Sequence, residues 1–303
     1  MANLETERPV GTSPGSSRIT FHAGAFPWWL VALLGIISVM IALVVVNEDY
    51  QEAFRAIFPW PLIEEVELEE GVMQTQLILT RGIGMTLILT LGSFAASLPI
   101  GLLLALGRLS GSTPARTGPG RFLQGVASNV STLYIEFVRG IPMLVFIFAI
   151  AFVLAPDFAD LIGLESRAVT NAWRGAAALS LFYAAFIAEV IRGGIQSVPI
   201  GQVEAGRSVG MKQGQILRQI VLPQAIRNML PALGNDLIAL MKDTSLVSVL
   251  AVRELTQMAR LYTGSTFRFR EGFFILVVIY VTLTLLLSLL LRWYERRIAI
   301  PGA

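Results

Sequence analysis

The chain has 303 residues, of which 54% are hydrophobic and 15% are charged, and its mean hydropathy is +0.68. Ordinary soluble domains contain roughly 45–50% apolar and about 25% charged residues, so this composition argues against a soluble protein and assigns much of the chain to lipid. The absence of Cys and the single His, His22, exclude disulfides, thiolate metal sites and an imidazole cluster for metal or triad chemistry. The net charge of +2 comes without a long basic stripe, so a nucleic-acid partner is not indicated either.

The N-terminal part of the chain predicts a flexible cytoplasmic tail followed by one membrane helix. Residues 1–25 are rich in Gly, Ser, Thr and Pro, a composition that cannot bury enough apolar surface to order itself. The charge-free run Trp28–Val46 is longer than the roughly 7–15 residues of a signal-peptide core, and no small-residue cleavage site follows it. We therefore predict that residues 26–47 form a retained membrane helix in front of the main membrane domain.

The next segment, residues 48–81, is strongly acidic and is expected on the periplasmic side. Its acidic residues are Glu48, Asp49, Glu52, Glu64, Glu65, Glu67, Glu69 and Glu70. The aromatic residues Phe58 and Trp60 would place part of it at the membrane surface, and a solvated acidic loop is the alternative.

The remaining apolar segments predict a membrane domain over residues 82–292. Charge-free runs close to the ~20 residues that cross ~30 Å of hydrocarbon extend over Gly82–Gly107, Gly140–Pro156 and Gly272–Leu291. Two more apolar segments, Ala172–Ile191 and Asn228–Val252, contain charged residues, which indicates burial among other helices. We therefore predict an all-α membrane protein of about six helices, with a five-helix core and one additional N-terminal helix.

The distribution of Lys and Arg predicts the orientation of these helices. Both residue types concentrate in the N-terminal tail, in the loops Arg108–Ser131 and Arg192–Arg227, and in the tail 293–303. Cytoplasmic loops carry the excess of Lys and Arg in membrane proteins, so both termini are expected in the cytoplasm. One outer loop disagrees, because it contains Arg253, Arg260, Arg268 and Arg270.

The cytoplasmic segment Glu204–Pro223 is a polar insert with regular internal spacing. In the stretch Gln213–Val221, apolar residues share one side of an amphipathic helix, namely Ile216, Leu217, Ile220 and Val221. We expect Gly206 and Gly210 to allow a bend before this helix, and Pro223 to mark where the chain turns back toward the bilayer. Amphipathicity alone leaves two interpretations open, an ordinary interfacial helix and a helix that docks in a partner's groove.

The order of residues in this insert resembles a known motif. Glu204-Ala205-Gly206, then Gly210, then Ile220 with Leu222-Pro223, resembles the EAA loop of binding-protein-dependent ABC importer permeases, with Gly206 in place of the usual second Ala. Other segments resemble the polar amino acid subfamily, which covers histidine, glutamate, glutamine, arginine and opine importers. These segments are Tyr134–Pro142, Ala188–Ile195, Pro199–Gln202 and Lys242–Leu246.

The resemblance implies a type I ABC importer transmembrane domain in the bacterial inner membrane. Its partners would be cytoplasmic ABC ATPase subunits, a second permease in a homodimer or heterodimer, a periplasmic or lipid-anchored substrate-binding protein, and membrane lipid. No cofactor is expected on this chain, since ATP and Mg would be bound by the ATPase and the sequence has no G-x-x-x-x-G-K-S/T phosphate loop. The ATPase-coupling loop, residues 204–223, would use Glu204, Ala205, Gly206, Gly210, Ile220, Leu222 and Pro223.

Polar residues in the apolar segment Asn228–Val252 suggest a route for substrate. Asp236, Lys242 and Asp243 follow the helix-breaking residues Pro231 and Gly234, and charges at such depth are costly unless they pair or face water. In one interpretation, Lys242 pairs with a neighbouring helix while the other polar residues line or gate the translocation path, namely Asp236, Asp243, Thr244 and Ser245. The alternative is a structural ion pair or helix cap formed by Lys242 and Asp243.

Two pairs of opposite charges are spaced three residues apart on predicted helices. Glu136 and Arg139 are candidates for the translocation path, although a local ion pair is the favoured interpretation. Glu189 and Arg192 have the same spacing near the cytoplasmic end of a span, and there we expect structural pairing close to the coupling loop.

These observations predict the permease subunit of an ATP-driven amino acid importer, with no catalytic and no metal-binding residues of its own. The alternative is an ion-coupled secondary transporter of small polar solutes, which the intramembrane carboxylates Asp236 and Asp243 suggest. A membrane enzyme is disfavoured, because the sequence lacks a His constellation, a Cys nucleophile and a metal-binding motif.

Overall fold

The computed structural model describes residues 28–58, 63–68, 72–77, 81–111, 118–163, 165 and 169–298. The tail predicted over residues 1–25 lies outside the described residues, as do residues 299–303 of the C-terminal tail. The described part is mostly helical and includes one two-stranded antiparallel hairpin.

Four elements precede the main membrane domain: α1 (Trp28–Val46), α2 (Glu48–Ile57), β1 (Ile63–Leu68) and β2 (Val72–Leu77). The side chain of Asn47 accepts a hydrogen bond from the Asp49 N–H at 3.0 Å, which caps α2 and separates it from α1. The two helices are bent by 100° relative to each other. The acidic segment therefore begins with a capped helix, which the sequence analysis did not anticipate.

The main domain contains the remaining helices, several of which run into one another without a loop. They are α3 (Gly82–Ser110), α4 (Gly118–Gly140), α5 (Met143–Phe148), α6 (Ala155–Leu161), α7 (Asn171–Gln196), α8 (Ile200–Ser208), α9 (Gln213–Ile216), α10 (Leu222–Asp243), α11 (Leu255–Thr266) and α12 (Phe269–Ile298). A π-helical segment, Ala149–Leu154, joins α5 to α6, and another, Leu217–Val221, joins α9 to α10. A 3₁₀ segment, Thr244–Leu250, follows α10.

Among the described helices, four are long and apolar enough to cross a membrane: α3, the continuous helix Met143–Leu161, α7 and α12. A fifth is added if the bent pair α1–α2 is one span. The all-α membrane fold predicted from the sequence is confirmed. The remaining predicted span falls on α10 and the 3₁₀ segment, where the polar residues lower the hydropathy, and it stays a prediction.

Helix α10 does not break at Pro231 or Gly234, contrary to the expectation from sequence. Both residues lie inside the continuous helix. A side chain at Gly234 would collide with Leu291 of α12, so the glycine allows two helices to approach each other instead of interrupting one of them.

The predicted cytoplasmic loop Arg108–Ser131 is also largely helical, because α3 continues to Ser110 and α4 begins at Gly118. The hydroxyl of Ser128 donates a hydrogen bond to the Arg108 carbonyl at 3.4 Å, so α4 lies against the end of α3. A small residue permits this approach, because a Cβ atom at Gly111 would collide with the Ser128 side chain.

Three clusters of buried apolar residues hold the helices together. The first lies between α3, α5 and α7, with Leu179 at its centre, and the second surrounds Ile187 and Ile216 near α8 and α9. The third joins α2 to α11 and α12 through Ile57, Leu255 and Ile275, all of which are fully buried. Helix α2 is therefore part of the packed domain.

Candidate functional site

Helix α8 ends in a closed hydrogen-bonded turn at the predicted coupling loop. The Met211 N–H donates to the Gly206 carbonyl at 3.1 Å, and the Gly210 N–H donates to the Arg207 carbonyl at 3.0 Å. This is the pattern of a Schellman motif, in which the residue after the helix adopts a left-handed conformation. Gly210 has a φ of +79°, which explains why glycine stands at this position.

Gly206 has a different role from the bend that the sequence suggested for it. It lies inside α8, where it is buried. A Cβ atom at this position would lie 2.9 Å from Cδ1 of Ile220 and 3.1 Å from Cγ1 of Ile216, closer than side chains normally approach. The absence of a side chain therefore lets α8 pack closely on α9 and the π-helical segment after it.

The opposite side of α8 is open to solvent. Glu204 and Ala205 are exposed, and elsewhere in the coupling loop the apolar side chains of Val209 and Leu217 are 77% and 51% exposed. Leu217 was expected on the buried side of the amphipathic helix, but it lies at the start of a π-helical segment, which changes the spacing of the faces. The loop thus presents a mixed polar and apolar surface.

Pro223 does not turn the chain back toward the bilayer. It lies at the junction of the π-helical segment and α10, inside a stretch that is helical from Gln213 to Asp243, so it removes one backbone donor without ending the helix. Ile220 is half-buried and Leu222 is 43% exposed. The consequence is a direct helical connection between the coupling loop and the charged residues of α10.

A network of charged residues lies on α3, α4 and α7 near this loop. Glu189 binds Arg192 at 2.7 Å, which confirms the predicted pairing, and it also binds Arg108 of α3. Glu136 pairs with Arg108 at 3.1 Å and not with Arg139, so the predicted local pair is wrong. The reason is that α4 lies against α3 and brings an arginine from outside its own helix; the Arg139 guanidinium instead lies 5.6 Å from the centre of the Phe186 ring.

The charged residues of α10 have three different surroundings. The Tyr183 hydroxyl of α7 donates to the carboxylate of Asp243 at 2.7 Å. Oδ2 of Asp236 is buried and has no hydrogen-bond partner among the described residues. Among the described residues Lys242 forms no ion pair. The predicted pairing with a neighbouring helix is therefore not found, and the alternative ion pair between Lys242 and Asp243 is not found either.

Lys242 and Ser245 instead line a cavity of about 670 Å³ between the end of α10 and α12, together with Tyr280 and Arg292. The hydroxyl of Thr244, by contrast, is fully buried and donates to the Met241 carbonyl at 2.7 Å. The lining of this cavity is mostly apolar with a few polar groups, and a cavity of this size can hold a small solute.

Sequence reasoning missed two residues that the structure places among these groups. Tyr183 lies in an apolar stretch of α7 that gave no signal. Glu254 is fully buried and caps α11, accepting hydrogen bonds from the backbone N–H groups of Thr256 at 2.9 Å and Gln257 at 2.8 Å. Burial raises the pKa of Glu254 to about 7, and the hydrogen bonds that it accepts oppose this shift. Its position directly before a helix was the available signal.

Among the described residues, no group of three or more His, Asp or Glu side chains is placed to hold a metal ion. Comparison with protein families gives a match over residues 97–300 to the family described as "Binding-protein-dependent transport system inner membrane component".

Two curated relatives are similar over most of their own length. The chain is 35% identical to the "Glutamine transport system permease protein GlnP" of Escherichia coli (strain K12), over 74% of this chain and 94% of that protein. It is 40% identical to the "Probable amino-acid permease protein YxeN" of Bacillus subtilis (strain 168), over 58% of this chain and 76% of that protein.

Solved structures give a consistent fold. A chain from "Crystal structure of an amino acid ABC transporter with histidines" matches with 35% identity and a TM-score of 0.60, over 71% of this chain and 92% of that chain. A chain of the MetNI methionine ABC transporter in an inward-facing conformation matches with 22% identity and a TM-score of 0.58, which supports the fold alone.

Proposed function

Because the chain belongs to the family of binding-protein-dependent transport system inner membrane components, we propose that it is the permease subunit of an ATP-driven amino acid importer. It is a multi-pass inner membrane protein. The observation that carries the proposal is the geometry of α8, whose exposed face holds Glu204 and Ala205 while Gly206 seats its other face on the helix that leads to α10.

The proposed mechanism divides the work between two polypeptides. A cytoplasmic ABC ATPase binds ATP and Mg, and the exposed face of α8 docks in a groove on its surface. When the ATPase changes shape, α8 moves, and the packing of Gly206 on Ile216 and Ile220 transmits this movement to α10. The chain itself needs no catalytic residue for this role.

Helix α10 and the residues after it supply the proposed translocation path. Asp236, Lys242, Asp243, Thr244 and Ser245 follow the coupling loop along α10 and the 3₁₀ segment, and Lys242 and Ser245 line the cavity beside α12. A zwitterionic amino acid carries an ammonium and a carboxylate group. Carboxylates along the path can bind the ammonium group, and the amine of Lys242 can bind the carboxylate group. Glu136 and Arg139 stay candidates for the path, although their contacts with Arg108 and Phe186 also suit a structural role.

The complex would contain ATPase subunits, a second permease in a homodimer or heterodimer, and a periplasmic or lipid-anchored substrate-binding protein. The similar chain of 35% identity comes from an amino acid ABC transporter, which supports the ATPase partner, and the family is described as binding-protein-dependent, which supports the substrate-binding protein. With α8 at the ATPase, both termini of the chain lie in the cytoplasm. An ion-coupled secondary transporter would need no such docking surface and is not favoured.

The test is a pull-down of the tagged chain from detergent-solubilised membranes, with co-purifying proteins identified by mass spectrometry. We expect an ATPase subunit with the wild type and at least a tenfold loss of it with Glu204→Arg. The matched control is Asp160→Arg, a charge reversal at an exposed position on α6, which should recover as much ATPase as the wild type. Equal recovery with Glu204→Arg, or uptake that persists without any ATPase, would overturn the proposal.

A further inference from the structure

A groove of about 650 Å³ lies between α1, α2 and α12, at the elbow where α1 meets α2. Most of its lining is apolar, with Val44 and Val45 from α1, Phe54 from α2, and Val278, Leu283 and Leu286 from α12. Gln51 braces the elbow, because its side-chain amide donates to the Val45 carbonyl at 2.6 Å. The volume is in the range of ~300–1,000 Å³ that ligand sites in proteins occupy.

The lining of the groove includes a cation. Arg55, in the last turn of α2, lines the groove, and its side chain is exposed. No ion pair joins it to a carboxylate of α2 or of the main domain over residues 81–111, 118–163 and 169–295. Two of the three acidic residues of α2 are engaged elsewhere, since Asp49 and Glu52 bind Arg268 at 3.1 and 2.7 Å. Helix α2 therefore keeps its paired acids on one side and presents its arginine to the groove.

The surroundings restrict what can occupy this space. The faces of α1 that flank the groove are apolar and exposed, as at Val39 and Leu43, which suits contact with hydrocarbon. An occupant must therefore reach the groove from the bilayer, with an apolar chain for the walls and an anionic group for Arg55. A free amino acid has no such chain, and water alone would leave the apolar walls hydrated at a cost.

We propose that the groove holds an acyl chain of a glycerophospholipid, with the lipid phosphate bound to Arg55. The lipid comes from the membrane leaflet at which α2 lies. It fills the space between the N-terminal helices and α12, so it acts as packing between α1 and the main domain. This inference concerns contact with the bilayer and does not depend on the transport proposal, so either one can fail without the other.

The experiment measures thermal unfolding of the full chain, purified with its partners in detergent, after addition of phosphatidylglycerol, diacylglycerol or inorganic phosphate. A ligand that binds only the folded state raises the unfolding temperature, so the wild type should unfold several degrees higher with phosphatidylglycerol. We expect a smaller shift with diacylglycerol, which lacks the phosphate, and none with inorganic phosphate, which lacks the chain.

Two pairs of variants test the residues. Val45→Trp fills the groove and should abolish the shift, whereas Val46→Trp, at the neighbouring position that does not line the groove, should keep it. Arg55→Gln should reduce the shift to that seen with diacylglycerol, whereas Arg270→Gln, at another exposed arginine outside the groove, should not.

Native mass spectrometry provides a second readout, since the wild type and both controls should retain phospholipid and Val45→Trp should lose it. Equal shifts for Val45→Trp and Val46→Trp would overturn the groove as the site. A full shift with inorganic phosphate, or no difference between Arg55→Gln and Arg270→Gln, would overturn the pairing of chain and phosphate.

Discussion

The two ends of the helical domain are built in different ways. At the end formed by α8 and α9, exposed residues such as Glu204 and Val209 remain uncovered, and all of these elements lie inside the range 97–300 that matches the family. At the other end, α2 covers α11 and α12, and it lies before that range. The first end is left open, as the proposed docking of an ATPase requires, whereas the second is closed by a segment of the chain itself.

Charged residues differ between the two ends in the same way. Near α8, Glu189 links Arg108 and Arg192 and so joins helices of the family core. At the far end, Arg268 binds acidic residues of α2. This pairing gives a reason for one of the arginines that contradicts the orientation rule, because acids of the N-terminal segment neutralise it. Substitutions at either end test whether the two ends differ in this way.

The largest effect is expected at the end with α8, from Gly210→Val. A β-branched residue is strained at a φ of +79°, by ~1–3 kcal/mol, and it would disrupt the closed turn after α8. We expect at least a tenfold loss of amino acid uptake with normal membrane insertion, measured as radiolabelled uptake against protein level. The control Gly201→Ala has open space around the new methyl group and should transport normally. Normal uptake by Gly210→Val would contradict the role of this turn.

The next effect is expected in the charged network, from Glu189→Gln. The glutamate is mostly buried, and its loss leaves Arg192 without its carboxylate and Arg108 with Glu136 alone. Hydrogen bonds to charged groups contribute about 1.5–3 kcal/mol, so the unfolding temperature should fall. The control Glu136→Gln, whose side chain is 59% exposed, should change stability by about 1 kcal/mol or less. A larger effect at Glu136 would reverse our account of which residue holds the helices together.

At the opposite end, Glu254→Gln should cost about 1 kcal/mol through a weaker helix cap. Its pH dependence is more informative, because burial raises the pKa of Glu254 from 4.5 to about 7. The folded state favours the protonated carboxyl, so this contribution to stability is complete below pH 4.5 and is lost as the pH rises through about 7. Thermal unfolding of the wild type should show this decline, and the variant should lack it. The same decline in both proteins would assign it to another group.

The smallest effect is expected from Arg268→Gln, which removes the pairing with α2. The Arg268 side chain is 41% exposed and both of its partners are more exposed, so the loss of stability should be small. Unfolding in low salt should show the difference and unfolding near 1 M salt should hide it, because salt screens exposed charges. A loss that persists at high salt would mean that α2 is held more by charge than by its apolar contacts.

The sequence predicted the membrane helices because their hydropathy is a local property, and it predicted the coupling loop because the spacing of Glu204 and Gly210 lies within one short segment. It could not predict contacts between distant segments. Arg268 and Glu52 are 216 positions apart, and the pairing of Arg108 with Glu136 requires α4 to lie against α3. The prediction of a helix break at Pro231 and Gly234 was also wrong. A glycine that interrupts a helix and a glycine that lets two helices touch cannot be distinguished from the sequence alone.

The π-helical segment Leu217–Val221 affects how the helices on its two sides are rotated about their common axis. An α-helix advances by about 100° per residue, and a π-helical turn accommodates one additional residue without ending the helix. The segment therefore inserts one residue between the coupling loop and α10 while the helices on its two sides keep nearly the same rotation about their axis. Deleting that residue would restore regular α-helical winding with little rotation of α8 relative to Asp236 and Asp243, whereas deleting one residue from the regular part of α10 before Asp236 would rotate α8 by about 100°.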